Sequence, residues 1–318
     1  VPQTIQRTRW SVRTAEPERA AEHLLGLPDL RRVDVDPGEG PFSFDARRRG
    51  TDLLSLWSSS CTGDVRGEVV AETAMVLFWL KSGTGSVDDD HDVPTGRPSL
   101  FRHDPQQVRW CGYELDLIRI DRSTVEAVAA ERGAWRAGPI EFQPHHIPEG
   151  PELAAWWLMV RTVAAEVLRG PGDVPEERER ELTRFAAAGL LTAIPHWPVG
   201  EDGPPPTAAA ARFARAEGFL LEHAREPISV EDVADAAGLS VRGLQDAFRR
   251  HHGVTPTVYL RRIRLLLARE ELESGTAESV GDVARAVGFG HLGRFASSYR
   301  SEFGELPRET WSASRRGR

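Results

Sequence analysis

The stretch VEDVADAAGLSVRGLQDAFRRHHG, residues 230–253, returns about fifty residues later as VGDVARAVGFGHLGRFASSYRSEFG, residues 280–304. Both copies open Val-x-Asp-Val-Ala-x-Ala-x-Gly, pass through a short turn and continue into a second helical run closed by Gly. A unit written twice in register is one device used twice. Ser229 and Ser279 each stand three residues before an aspartate, Asp232 and Asp282, giving S-x-x-D starts that satisfy first-turn N–H groups. Gly238 and Gly288 then end each short helix in the left-handed conformation that a tight turn demands.

Helical spacing sorts the second run of each copy into two faces. In the first, Val241, Leu244 and Phe248 form a core stripe. Arg242, Asp246, Arg249 and Arg250 then point outward, with Gln245 at the flank. In the second, Leu292, Phe295 and Tyr299 are expected to be buried, leaving Gly293, Arg294, Ser297, Arg300 and Ser301 outside. Helix, glycine turn and helix with a polar outer face is the helix-turn-helix pattern, whose second helix enters the major groove of DNA. Between the copies runs TPTVYLRRIRLLLAREELES, residues 255–274, with Thr255 as N-cap and Pro256 at the first helical position. A helix of that length, about 25 Å, can hold two reading helices apart. Successive major grooves on one face of DNA lie roughly 34 Å apart.

Outward from the repeat, the charge changes. The chain has 318 residues and a net charge of −8. Residues 207–318 carry 17 Arg against 15 Asp and Glu, and the rest of the chain is acidic. Lys81 is the only lysine, so nearly every cation is Arg, the side chain suited to bidentate phosphate and guanine contacts. The stretch IPHWPVGEDGPPPT, residues 194–207, reads as a semi-rigid linker. The expected organisation is therefore residues 1–195, a linker at 196–207, and a DNA-binding domain at 208–318.

Upstream, DLLSLWSSS, AMVLFWL and YELDLIRI lie between Gly, Pro and Asp turns and predict an antiparallel sandwich or barrel from about Phe42 to Ile120. The segments LAAWWLMVRTVAAEVL and EERERELTRFAAAGLLTAI predict a helical hairpin packed on those strands. Its Trp156, Trp157, Leu158, Val160, Val163, Leu168 and Phe185 offer apolar surface for a homodimer contact. The fold class is α+β: a β-sandwich or cupin-like N-terminal domain with a helical hairpin, then an all-α domain with two helix-turn-helix motifs. No apolar run approaches the length that spans a bilayer and the N-terminus has no signal-peptide core, so a cytoplasmic protein is expected. Cys61 and Cys111 read as thiols of a reducing compartment.

Residues 207–311 resemble the DNA-binding domain of the AraC/XylS family of bacterial transcription regulators. The resemblance is carried by GLSVRGLQDAFRRHHGVTPTVYLRRIRL, residues 238–265, and GFGHLGRFASSYRSEFGELPRET, residues 288–310, the second especially similar to the XylS branch. It implies seven helices, with 241–252 and 291–303 as recognition helices on promoter DNA, and an activator that works with RNA polymerase. Asp246 and Ser297 stand where the family often has Arg, which changes the expected base preference. The resemblance also implies an effector-sensing and dimerising N-terminal domain. Candidate pocket walls there are Phe42, Phe44, Trp57, Phe78, Trp79, Trp110 and Tyr113. Arg47, Arg49, Arg109 and Arg119 could pair with an aromatic or other apolar carboxylate. Of these, Trp57, Trp79, Trp110 and Arg109 are the chosen effector residues.

Enzyme classes find little support. A metal-dependent cupin would supply His-x-His, which is absent, and His91, His103, His145 and His146 read as surface or hydrogen-bonded residues. No G-x-S-x-G, P-loop or complete G-x-G-x-x-G occurs. No catalytic residue, metal or cofactor is expected. The alternative is a cupin-type small-molecule enzyme with an accessory DNA-binding tail.

Overall fold

The computed structural model describes residues 3–27, 29–88, 91–133, 135–199, 208–274 and 276–316. The chain forms two compact units. The first comprises residues 1–128, 138–148 and 160–199, and the second residues 129–137, 149–159 and 200–318.

The chain opens with β1 (Thr4–Gln6), β2 (Thr8–Thr14), α1 (Pro17–Leu25), β3 (Leu30–Asp36), β4 (Phe44–Gly50), β5 (Leu54–Val69) and β6 (Ala74–Val87). Then come β7 (His91–Asp92), β8 (Ser99–Leu100), β9 (Gln106–Asp121), α2 (Arg122–Gly133) and β10 (Ile140–Phe142). They are followed by α3 (Gly150–Arg169), β11 (Asp173–Pro175), α4 (Glu176–Ala193) and β12 (His196–Pro198). The three apolar runs singled out above fall inside β5, β6 and β9, which reach 16, 14 and 16 residues. Such long strands serve two halves of one sheet. β5 pairs with β4 over Ser55–Cys61 and with β3 over Asp64–Val69.

Register shifts at Cys61/Asp64 on β5 and between Leu80 and Thr84 on β6 mark the crease between the halves. Extra residues there bend a strand and sharpen its twist. At the crease Gly83 has φ +85°, and a Cβ on it would lie 2.3 Å from the Gly112 carbonyl oxygen. Only glycine fits where two bent strands approach so closely. The eight-stranded antiparallel sheet, ordered β2-β4-β5-β9-β6-β7 with β3 on β5 and β8 on β6, thereby folds back on itself. Phe78 from one half meets Trp110 from the other edge-on, ring centroids 5.3 Å apart. The sandwich-like architecture expected from the strand pattern is thus built from one creased sheet. Its core holds Phe44, Val65, Phe78, Leu80, Val108 and Leu115.

The helical hairpin forms as α3 and α4, with β11 between them pairing with β1. Arg7 and Glu179 bind α4 to the strands. Both side chains are fully buried, the Arg7 Nη2 donates to Glu179 Oε2 at 2.7 Å, and Thr51 donates to the other carboxylate oxygen at 3.0 Å. The apolar hairpin residues are largely internal. Trp156, Leu158, Val160 and Val163 are buried, Trp157 and Phe185 half-buried, and Leu168 alone of the seven is exposed, at 48%. The hairpin also divides between units, because Ala154, Ala155 and Leu158 of α3 join the helical core instead of packing on strands. Of the expected linker, His196–Pro198 is β12, paired with β10, and residues 200–207 lie outside the described residues.

The second unit contains α5 (Ala208–Glu222), α6 (Val230–Ala237), α7 (Val241–His252), α8 (Pro256–Glu273), α9 (Val280–Ala286), α10 (Leu292–Phe303) and α11 (Pro307–Arg316). These are the seven helices the resemblance implies. α8 is the central strut. It buries Tyr259, Leu260, Ile263, Leu267 and Leu272 on successive turns, and the buried residues of α5–α7, α9 and α10 converge on it. Thr255 caps its start, accepting from Val258 N at 3.4 Å, with Pro256 at the first helical position where no N–H is needed.

Candidate nucleic-acid interface

The two motifs repeat in atomic detail as well as in letters. Ser229 Oγ accepts from Asp232 N at 3.1 Å, and Ser279 Oγ accepts from Asp282 N at 3.1 Å. Hydrogen bonds from Ser229 hold the Asp232 carboxyl below its ordinary range, and Ser279 does the same for Asp282. At the other end of each short helix, Leu239 N donates to Ala234 O at 2.9 Å and Phe289 N to Ala284 O at 2.8 Å. Gly238 and Gly288 supply the left-handed residue of this helix stop, at φ +64° and +81°. One helix stop therefore precedes both α7 and α10, although the second turn is one residue longer and only α7 has a side-chain cap, in which Ser240 Oγ accepts from Gly243 N.

The buried stripes follow. Leu244 and Phe248 of α7, and Phe295 and Tyr299 of α10, have no exposed surface. Tyr299 also donates to Thr310 Oγ1 at 3.0 Å, which ties α10 to α11. Val241 is half-buried. Leu292 departs from expectation, being 53% exposed. It is the first residue of α10, where side chains lean back past the helix end, while the Phe289 ring packs 5.1 Å from that of Phe295.

Arg242, Asp246, Arg249 and Arg250 are exposed on α7 and Gln245 is half-buried, while Arg294, Ser297 and Arg300 are exposed on α10. Asp246 lies 3.8 Å from Arg249 and partly neutralises it. Arg242, Arg250, Arg294 and Arg300 have no ion-pair partner among the described residues. Each motif thus presents a guanidinium in its first turn and another in its last. α8, with 18 residues about 27 Å long, packs against both recognition helices.

The tail of α7 is anchored by a buried cluster that sequence patterning gave no means of finding. His252 Nε2 lies 2.8 Å from Glu217 Oε1, and Arg132 donates to the other oxygen of Glu217. Glu217 is 2% exposed. The His252 ring stacks on Tyr259 with centroids 4.4 Å apart, and His251 on Phe213 at 4.1 Å. Burial, followed by the proximity of His252 and Arg132, pushes His251 down to about 4. Arg132 comes from the end of α2, outside the repeat altogether.

In the first unit, Trp57 and Trp110 line one apolar cavity of about 90 Å³, together with Trp10, Phe44, Tyr113 and Arg119. Arg119 Nε donates to Asp29 Oδ2 at 2.5 Å, so this cation is already paired. Trp79 is buried outside that cavity, and Arg109 is on the surface, paired with Asp64 at 3.3 Å. A larger groove of about 690 Å³ runs beside β8 and β10, lined by Phe78, Phe101, Arg102, His103, Arg122 and His145 among others. There His91 and His145 stack at 3.6 Å and His103 Nδ1 lies 3.3 Å from Arg122. Among the described residues, no helix is long and apolar enough to cross a membrane.

A family described as "Helix-turn-helix domain" matches residues 233–313. The chain is 43% identical over 102 residues to the XylDLEGF operon transcriptional activator 2 of Pseudomonas putida, a match covering 31% of this chain and 65% of that protein. It is 37% identical over 201 residues to the "Probable thc operon regulatory protein" of Rhodococcus erythropolis, covering 60% of this chain and 59% of the relative. Less than two thirds of either relative is matched. Among solved structures, a probable AraC family transcriptional regulator from Rhodopseudomonas palustris is 34% identical, with 32% of this chain and 96% of that one covered and a TM-score of 0.31. The AraC-like transcriptional activator CuxR is 16% identical, with 88% of this chain and 100% of that one covered and a TM-score of 0.44. Residues 233–313 thus belong to a helix-turn-helix domain family, and over its C-terminal third the chain is similar to bacterial transcription activators.

Proposed function

We propose that the chain is a sequence-specific transcription activator that lays α7 and α10 in successive major grooves of a promoter. The observation that carries this reading is the pair of recognition helices that follow one repeated helix stop, each with unpaired arginines outward, on the shared strut α8. Arg242, Gln245, Asp246, Arg249 and Arg250 form one reading face, and Arg294, Ser297 and Arg300 the other. Unpaired guanidinium groups serve both phosphate contacts and bidentate guanine contacts. In this reading residues 208–318 recognise DNA, residues 196–207 link, and residues 1–195 sense an effector and form a homodimer. RNA polymerase is the partner at the promoter, the setting is the cytoplasm, and no catalysis is involved.

The effector is a small apolar molecule, most simply a carboxylate. The creased sheet supports this with a cavity in which Trp57 and Trp110 meet Tyr113 and Arg119. Selection of bound duplexes from a random pool by the whole chain tests the DNA reading. A consensus with two half-sites about one helical turn apart is expected, with affinity falling steeply as salt rises. Binding of selected and random DNA with equal affinity would remove the proposal.

A further inference from the structure

We infer that Leu292 reads thymine, packing its side chain against the 5-methyl group of a base in the half-site that α10 enters. The inference rests on the DNA-binding reading above and adds a specificity-determining residue to it. Leu292 stands three and seven residues before Phe295 and Tyr299, in line with the core stripe, yet it is 53% exposed. Among the described residues it is the one large apolar side chain of the second unit left open to solvent; Leu25, Ile147, Leu168, Trp197 and Val199 all belong to the first.

Its position is the end of a recognition helix that approaches base edges first. Helical side chains lean toward the N-terminus, so Leu292 overhangs the start of α10 instead of lying along it. The approach is clear on both sides. A Cβ added at Gly290 or Gly293 would meet nothing within 4 Å, and His291 and Arg294 are exposed. His291 makes no side-chain cap bond to the first turn. The major groove presents hydrogen-bonding edges at every base and one apolar group, the thymine methyl. An exposed leucine between two open glycines and a free guanidinium matches that group and no other in the groove.

The test uses the whole chain and an operator selected by it. Each thymine is replaced in turn by deoxyuridine, which removes the methyl group and keeps every hydrogen-bonding edge. In the α10 half-site one replacement should weaken the unaltered chain about fourfold, equivalent to the ~0.8 kcal/mol of one buried methyl group. The same replacement should leave Leu292→Ala unchanged, while Arg294→Ala keeps the uracil effect. Leu292 lies outside the buried core, so Leu292→Ala should fold as the parent does. Equal losses in the parent and in Leu292→Ala overturn the inference, as does an operator in which no thymine replacement matters; both leave the DNA-binding reading intact. Failure to select any sequence overturns the two together.

Discussion

Arg132→Met should destabilise the second unit by about 3 kcal/mol, although Arg132 lies about a hundred residues before residue 233, where the matched helix-turn-helix domain begins. The size follows from the surroundings of Glu217. Its carboxylate is 2% exposed and, among the described residues, accepts from Arg132 on one oxygen and lies 2.8 Å from His252 Nε2 on the other. Breaking a buried pair from one side costs roughly 3–5 kcal/mol because the remaining charge is left without compensation. The retained bond to His252 places the loss at the lower end. Denaturant titration of the whole chain, followed by a signal from the second unit, measures the loss. Arg132→Met with Glu217→Gln removes both ends of the pair and should recover most of the stability. A fragment of residues 208–318 lacks Arg132 from the outset, so Glu217→Gln should stabilise it. A loss under about 1 kcal/mol for Arg132→Met, the range of an exposed ion pair, would refute the reasoning.

Arg242→Ala and Arg294→Ala should each weaken binding to the selected operator by about 1–3 kcal/mol and relax preference at one base pair, as a fluorescence titration would show. Equal losses on random DNA would make them phosphate contacts. For His251, held neutral to about pH 4 by burial, the unfolded chain binds the proton first as pH falls. Its stability contribution is therefore complete above about pH 6.5 and declines between there and about pH 4; His251→Gln should flatten that slope in denaturation midpoints. Gly83→Val should lower the melting temperature of the first unit sharply, since its Cβ would stand 2.3 Å from the Gly112 carbonyl oxygen. An unchanged melting curve would mean that the crease tolerates a side chain.

The helical half of the protein was legible because its information is local. Ser229 and Ser279, Gly238 and Gly288, and the stripe from Leu244 to Phe248 act within a few residues of their partners, and caps, turns and helical periodicity are short-range physics. The exception is Leu292. Its spacing is that of a buried residue, but at the first position of α10 the side chain leans past the helix end instead of onto the core.

The first unit was less legible for the complementary reason. Alternation announces strands, and it correctly marked β5, β6 and β9, but it does not say which strands cross a crease or which face ends inside. Trp57 and Trp110 come together in one cavity, while Trp79, equally aromatic, is buried elsewhere and Arg109 pairs on the surface. By itself the sequence determined two helix-turn-helix motifs, their outward arginines and their common register, because each rests on contacts between near neighbours. Tertiary structure alone decided the creased sheet, the internal placement of the hairpin's tryptophans and the Arg132–Glu217–His252 anchor. Those depend on residues scores of positions apart meeting in a low-dielectric interior, where a contact's strength depends on what else surrounds it.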